Sequence, residues 1–402
     1  MQSIGWRLLG ASLMATMISA CGGGGGANSL PPPAAAPVAA GAGSNVALMS
    51  GVARSIASAA PVAAAGSNVA LMTDMSGVAR SIAAQQRSDG AILYTATQVE
   101  PYYANIAAIG AVHAGDDLAN VQQWMQWYVT RSKDPNPWSI AGAITDYNVA
   151  ANGTLQSAGE ADSVDSYAAT FISLAATAWR EGNAPLRAYV AGLEPDIDRI
   201  ASAIDAVTDG DGLTWALPTY QLKYVMDNSE VYRGLLDLAT LRTQAFGDVA
   251  GGVSAAAHAL QIQAAIQKGY WDPSRGAFAL ALDANASRIW PRAGNWYDQT
   301  TQLWPILNGV VAPSSQPAQT VYGRFSSAFP DWPTLQKPDP FPWASVALVA
   351  LQMNDLQRAS KYVASVQARY SPQFAYPWYC AESGWYTRVL LGIDAPQTVA
   401  VL

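Results

Sequence analysis

Carboxylates gather where apolar helical stretches begin. Residues 160–179 read EADSVDSYAATFISLAATAW: Glu160, Asp162 and Asp165 lead into Tyr167, Phe171, Leu174, Ala175 and Ala178 at helical spacing. The arrangement returns as Asp227-Asn228-Ser229-Glu230-Val231-Tyr232 and as Asn295-Trp296-Tyr297-Asp298-Gln299. Acids at a helix start cap free N–H groups and suit the helix dipole, so capping accounts for any one of these stretches. It does not account for their repetition beside Trp and Tyr. Crowded carboxyl groups raise one another's pKa, so one stays protonated while another ionises, as general acid–base chemistry requires. Asp162 and Asp165 share a face if both are helical.

Other chemistries are poorly provided for. The only histidines, His113 and His258, fall inside expected helices, and neither G-x-S-x-G nor H-E-x-x-H occurs. Asp209-Gly210-Asp211-Gly212 lacks the remainder of a calcium-loop pattern and reads as a turn. No metal and no cofactor are expected. A formal charge of −7 argues against nucleic acid as a partner. The chain carries 14 Trp and 18 Tyr against 7 Phe. Such rings offer a flat apolar face and a polar edge, which suits stacking on sugars.

Arg7 precedes an apolar run over residues 8–20 that is too short to span a bilayer. It ends Ile18-Ser19-Ala20-Cys21-Gly22, which resembles the lipobox of bacterial lipoproteins. That resemblance implies a signal peptide over 1–20, lipidation of Cys21, and an envelope protein anchored by lipid; Gly22 after the cysteine favours the outer membrane. Cys380 is then the one remaining thiol, expected to be inert. Residues 21–65 read as a Gly/Pro/Ala-rich tether, and 66–402 as the folded domain. Text at 43–57 recurs with little change at 66–83, a local duplication.

From about residue 69, apolar period and breaker residues mark about twelve helices: near 69–87, 99–114, 116–132, the stretch opening at 160, 185–208, 228–246, 250–269, 296–310, 315–328, 341–353, 354–370 and 381–392. Asn152-Gly153 between apolar flanks predicts a small β-hairpin. Even-numbered helices are rich in small residues and apolar almost all round, as buried helices are; odd-numbered ones carry more charge and glutamine. Even starts fall roughly 40–70 residues apart, the period of a helical-hairpin array.

Hairpin count, the turns Asp89-Gly90, Asp211-Gly212 and Arg275-Gly276, and Asp162-Ser-Val-Asp-Ser-Tyr167 opening an inner helix together resemble the six-hairpin glycosidases. That family shares an all-α, (α/α)6 toroid with several glycoside hydrolase families and some polysaccharide lyases. The resemblance covers about residues 69–394 and implies that inner-helix N-termini meet at one mouth, with short hairpin loops around it.

Residues at those ends become the candidates. Hydrolysis of a glycosidic bond needs two carboxyl groups, and the acid/base pair is expected among Asp165, Glu230 and Asp298, foremost Asp165 and Glu230, with Asp162 in support. Tyr102, Tyr167, Asn228, Trp296, Tyr297, Trp343, Glu382, Trp385 and Tyr386 are expected to bind substrate. The family habit implies inversion. The expected function is hydrolysis of an oligo- or polysaccharide by a lipid-anchored enzyme. The alternatives are a non-catalytic glycan-binding lipoprotein, which an incomplete catalytic signature favours, and a lyase, kept open by Tyr167, Tyr232 and Arg233.

Overall fold

The computed structural model describes residues 68–115 and 117–394, with side chains from Asp74 onward. The expected signal peptide, the lipidated Cys21, the tether and the first copy of the duplication lie outside the described residues.

Local sequence sets the helix boundaries. Helix α1 spans Asn68–Gln85, and α2 spans Pro101–Ala114. Pro101 pre-sets the first turn of α2, and Gly115 ends it at φ 67°, a left-handed cap. Next come α3 (Leu118–Arg131), α4 (Asp165–Glu181), α5 (Ala184–Ala191) and α6 (Glu194–Ala206). The single helix expected at 185–208 is therefore two. Pro195 has no N–H to give and its ring would crowd the carbonyl of Ala191, so the chain breaks at Gly192 and Leu193. Helix α7 (Val225–Thr240) runs into a π-helical turn, Leu241–Phe246, and Gly247 stops it at φ 76°. Helix α8 is Val249–Gly269, its first turn capped by Asp248. The helix expected at 296–310 divides into α9 (Trp296–Thr301) and α10 (Trp304–Leu307), again before a proline, Pro305. The rest are α11 (Gln316–Ala328), α12 (Ala344–Gln352), α13 (Leu356–Tyr370) and α14 (Cys380–Asp394).

These helices form the expected (α/α)6 toroid. The inner ring is α2, α4, α7, the α9–α10 pair, α12 and α14, each packed on the next, and α14 closes the ring against α2. Closure depends on missing side chains. A Cβ on Gly384 would stand 2.1 Å from the Ile106 carbonyl oxygen, and one on Gly110 would stand 2.5 Å from the Gly384 Cα. Gly234 of α7 likewise lies against Ala169 of α4. The inner α12 is buried from Ala344 to Leu351, whereas the outer α13 buries one stripe, Ala359, Tyr362, Val363, Val366 and Tyr370. Between the rings lies an aromatic core in which Tyr128 stacks on Phe171 at 4.1 Å.

Short strands sit where the chain enters inner helices. Strand β1 (Gln98–Val99) leads into α2 and pairs with β2 (Tyr147–Val149), which pairs with β3 (Leu155–Ser157). The Asn152-Gly153 hairpin is present, with Tyr147 opposite Ser157 and Gly153 at φ 81°. A second sheet joins β4 (Leu222–Tyr224), which leads into α7, to β7 (Ala281–Asp283) and β8 (Arg288–Ile289); β5 (Trp271–Asp272) and β6 (Ala277–Phe278) form a separate ribbon. Both three-stranded sheets thus stand at the mouth formed by inner-helix N-termini.

Candidate active site

The adjoining starts of α4 and α7 bring Asp162, Asp165, Asp227 and Glu230 together. Asp165 opens α4 and is fully buried, 0% exposed. One of its oxygens accepts the Thr214 hydroxyl at 2.6 Å and the other the Ser166 N–H at 2.9 Å. Thr214 is itself fixed by Asn228, whose Oδ1 accepts the Thr214 N–H at 2.8 Å and whose Nδ2 donates to the Thr214 and Tyr224 carbonyls at 3.1 and 3.0 Å. Asn228 is therefore spent on clamping the loop before β4 onto α7 and presents no free amide to a substrate.

Glu230 lies in the second turn of α7 and is 7% exposed. Its Oε1 accepts two bonds, from the Tyr102 hydroxyl of α2 at 2.5 Å and from the Trp304 indole N–H of α10 at 2.9 Å. Asp227 sits one turn earlier on the same face, half-buried, and Asp162 is exposed at the rim.

This crowding shifts the acids. Burial pushes Asp165 up to about 7, against the pull of the Thr214 hydroxyl and the Ser166 N–H and helped by the charge of Glu230. Burial likewise pushes Glu230 up to about 7, although the Tyr102 and Trp304 donors favour its ionised form. Asp227 is driven well above the usual carboxylate range by burial and by the charges of Asp165, Glu230 and Asp162.

A tyrosine wall flanks the acids. Tyr94 stacks on Tyr103 at 4.8 Å, and Tyr379 meets the edges of both at 5.3 and 5.0 Å. Phe341 extends the wall to Tyr376, which is 74% exposed and free on one side to meet a ligand. Along the ring axis, a cavity of about 140 Å³ touches Tyr102, Glu230 and Trp385 and continues to Arg180, Arg233 and Arg388. There Asp237 accepts bonds from Arg180 at 2.8 Å and from Arg233 at 2.5 and 2.8 Å.

Several candidates have other work. Asp298, 4% exposed, accepts Arg292 through Nε at 2.8 Å, Nη2 at 3.1 Å and the backbone N–H at 2.8 Å, so an ion pair and a loop occupy its oxygens. Glu382 accepts the N–H groups of Trp343 and Ala344 at 2.9 and 2.7 Å, capping α12; Trp343 holds φ 64° there. Burial pushes the Glu382 carboxyl up to about 7. Trp343 donates its indole N–H to Asp339 at 2.7 Å, and the Tyr297 hydroxyl donates to the same carboxylate. Trp296 is packed among Phe325, Phe329 and Trp343. Tyr167 donates to the buried Asp146 at 2.8 Å, and Tyr386 to Asp74 of α1 at 2.7 Å.

Asp227 and Trp304, neither among the expected site residues, stand beside Glu230. Asp227-x-x-Glu230 carried a usable signal, since three-residue spacing stacks two carboxyls on one helix face. Nothing local in the sequence marks Thr214 or Trp304 as partners of acids 49 and 74 residues away.

No protein-family model matches the chain, and no curated protein is similar enough to match it. Solved structures do. A wild-type glycosidase superposes with a TM-score of 0.57 at 13% identity, over 83% of this chain and 100% of the other. A glycosidase variant in complex with glucose gives the same values. A rhamnosidase from Klebsiella oxytoca with rhamnose bound gives 0.53 at 14% identity, over 84% of this chain and 66% of its own. At such identities the likeness is one of fold: the chain has the helical toroid on which these glycosidases are built.

Proposed function

We propose that this protein is a glycoside hydrolase acting on an oligo- or polysaccharide. The observation that carries the reading is the group of Asp162, Asp165, Asp227 and Glu230 beneath a tyrosine wall, in which burial raises the carboxyls of Asp165, Asp227 and Glu230. The likeness to glycosidase structures supports it further.

In this reading Asp227, held protonated, gives its proton to the leaving glycosidic oxygen as the bond to the anomeric carbon breaks. Glu230 takes a proton from the water whose oxygen bonds to that carbon. Tyr102 and Trp304 stabilise the ionised Glu230. Asp165, too buried to touch a sugar, keeps the proton on Asp227 by its charge and positions Thr214. A single displacement by water inverts the anomeric centre.

The test is release of reducing ends from a panel of neutral and acidic glycans, with absorbance of unsaturated product followed alongside. Asp227→Asn and Glu230→Gln should each abolish release, and the first product seen by proton NMR should be the inverted anomer. Release that survives both substitutions overturns the assignment. Unsaturated product would mean a lyase, and glycan binding without turnover a non-catalytic binder.

We further propose that the chain is an envelope lipoprotein anchored at Cys21 of the outer membrane, on the strength of the apolar run at 8–20 and Ser19-Ala20-Cys21. Metabolic labelling with a radioactive fatty acid should mark the protein and be lost in Cys21→Ala; labelling that persists refutes the anchor.

A further inference from the structure

A second pocket opens on the flank of the toroid, outside the acidic mouth. It holds about 470 Å³, within the range of small-ligand sites, between the β5–β6 turn, the segment after β8, and helices α9 and α11. Arg275, Trp290, Gln299, Gln302, Val321 and Arg324 line it.

Its chemistry is opposite to that of the mouth. The Arg275 guanidinium lies 4.5 Å from the centre of the Trp290 ring, and that of Arg288 lies 5.7 Å away. Arg324 is anchored through Nη1 to the carbonyls of Arg275 and Gly276, the latter at 3.1 Å, which holds its guanidinium at the pocket. Gly276, at φ 57°, makes room for it: a Cβ there would stand 3.0 Å from the Arg324 guanidinium carbon. Asp272 pairs loosely with Arg275, 3.8 Å from its Nε, and accepts its backbone N–H at 3.2 Å, while Asp298 is occupied by Arg292. Guanidiniums therefore gather here on a protein whose formal charge is −7.

A buried donor completes the site. Gln302 is 3% exposed, and its Oε1 accepts the Phe278 N–H at 2.8 Å, which fixes the amide orientation. Among the described residues its Nε2 finds no hydrogen-bond partner, a costly state for a buried amide.

We propose that this pocket is a second saccharide-binding site and takes a sugar residue bearing a carboxylate. Each feature answers to a part of such a ligand. The guanidinium forks match a carboxylate, the indole holds Arg275 in place for it, and the unused amide donates to a ring or hydroxyl oxygen. The acidic mouth would repel the same charge, so the two sites sort one glycan by charge along its length. The proposal does not depend on catalysis at the mouth.

Calorimetric titration of the full chain tests it with trigalacturonate, its neutral galactose counterpart and inorganic phosphate. Trigalacturonate should bind at least about tenfold more tightly than the neutral trisaccharide, and its affinity should fall with added salt. Trp290→Ala and Arg275→Gln should each weaken it about tenfold or more. Gln302→Glu keeps an acceptor for Phe278 but replaces the donor with a charge, and should abolish binding. Glu230→Gln should leave it unchanged. Arg275 is exposed, so its variant remains informative if Trp290→Ala fails to fold. Equal binding of the neutral sugar, binding that survives Arg275→Gln and Gln302→Glu, or binding lost in Glu230→Gln overturns the proposal. Phosphate binding as tightly as trigalacturonate would reduce the pocket to a simple anion site.

Discussion

The Tyr102 hydroxyl donates to Glu230 Oε1 across 2.5 Å and joins α2 to α7, two inner helices with α4 between them. A carboxylate gripped this way keeps its orientation and ionises more readily than burial alone would allow. In Tyr102→Phe the donor is gone and the Glu230 carboxyl should rise above about 7. A bond to a charged group contributes about 1.5–3 kcal/mol, or roughly one to two pKa units. The acidic limb of the kcat/KM profile should move to higher pH by that amount, with activity at pH 6 falling most. An unmoved limb would show that Glu230 does not govern it.

Asp298 should prove dispensable for chemistry. Asp298→Asn keeps an acceptor for the Arg292 backbone and removes the charge from an ion pair that faces Arg292 and not the acids of α4 and α7. We expect kcat within about twofold of wild type, against complete loss for Asp227→Asn. Comparable loss in both variants would restore Asp298 to the catalytic set.

Glu382 should couple stability to pH in a defined direction. Its folded pKa, about 7, lies above the ordinary glutamate value, because burial penalises the charge more than the Trp343 and Ala344 N–H groups favour it. The folded state therefore holds the proton longer than the unfolded chain. Stability from this group is complete below about pH 4.3 and is lost as pH rises through about 7, on the order of 3 kcal/mol in all. Melting curves between pH 5 and 8 should show Tm falling as pH rises, and falling less in Glu382→Gln. Parallel curves for the two proteins would contradict this.

Ring closure should fail when either glycine at the α2–α14 seam gains a side chain. A Cβ at Gly384 or Gly110 meets backbone atoms at 2.1 and 2.5 Å, so the helices must separate. Overpacking of this kind costs about 1–3 kcal/mol when side chains can yield, and here the obstacle is main chain. Denaturant titration of Gly384→Ala should show a loss at or above the top of that range. By contrast, Gly309→Ala meets no atom of the described residues within 4 Å and should lose only the strain of φ 76°.

The toroid was legible because its determinants are local. Small-residue inner helices, amphipathic outer helices and glycine or proline turns recur along the chain and fix the order of hairpins. Even the two misjudged helices broke at visible residues, Pro195 and Pro305. The acids at inner-helix starts were legible as a class for the same reason. Which of them face the mouth was not, because side-chain partners lie far apart in sequence. Asp165 and Glu230 meet at the α4–α7 seam, while Glu382 turns back to cap α12 and Asp298 turns to Arg292. Sequence alone determined the helices, their order and the end at which acids gather. The tertiary structure decided which carboxyls are exposed, shifted or spent, since burial and a neighbour's charge exist only once the ring has closed.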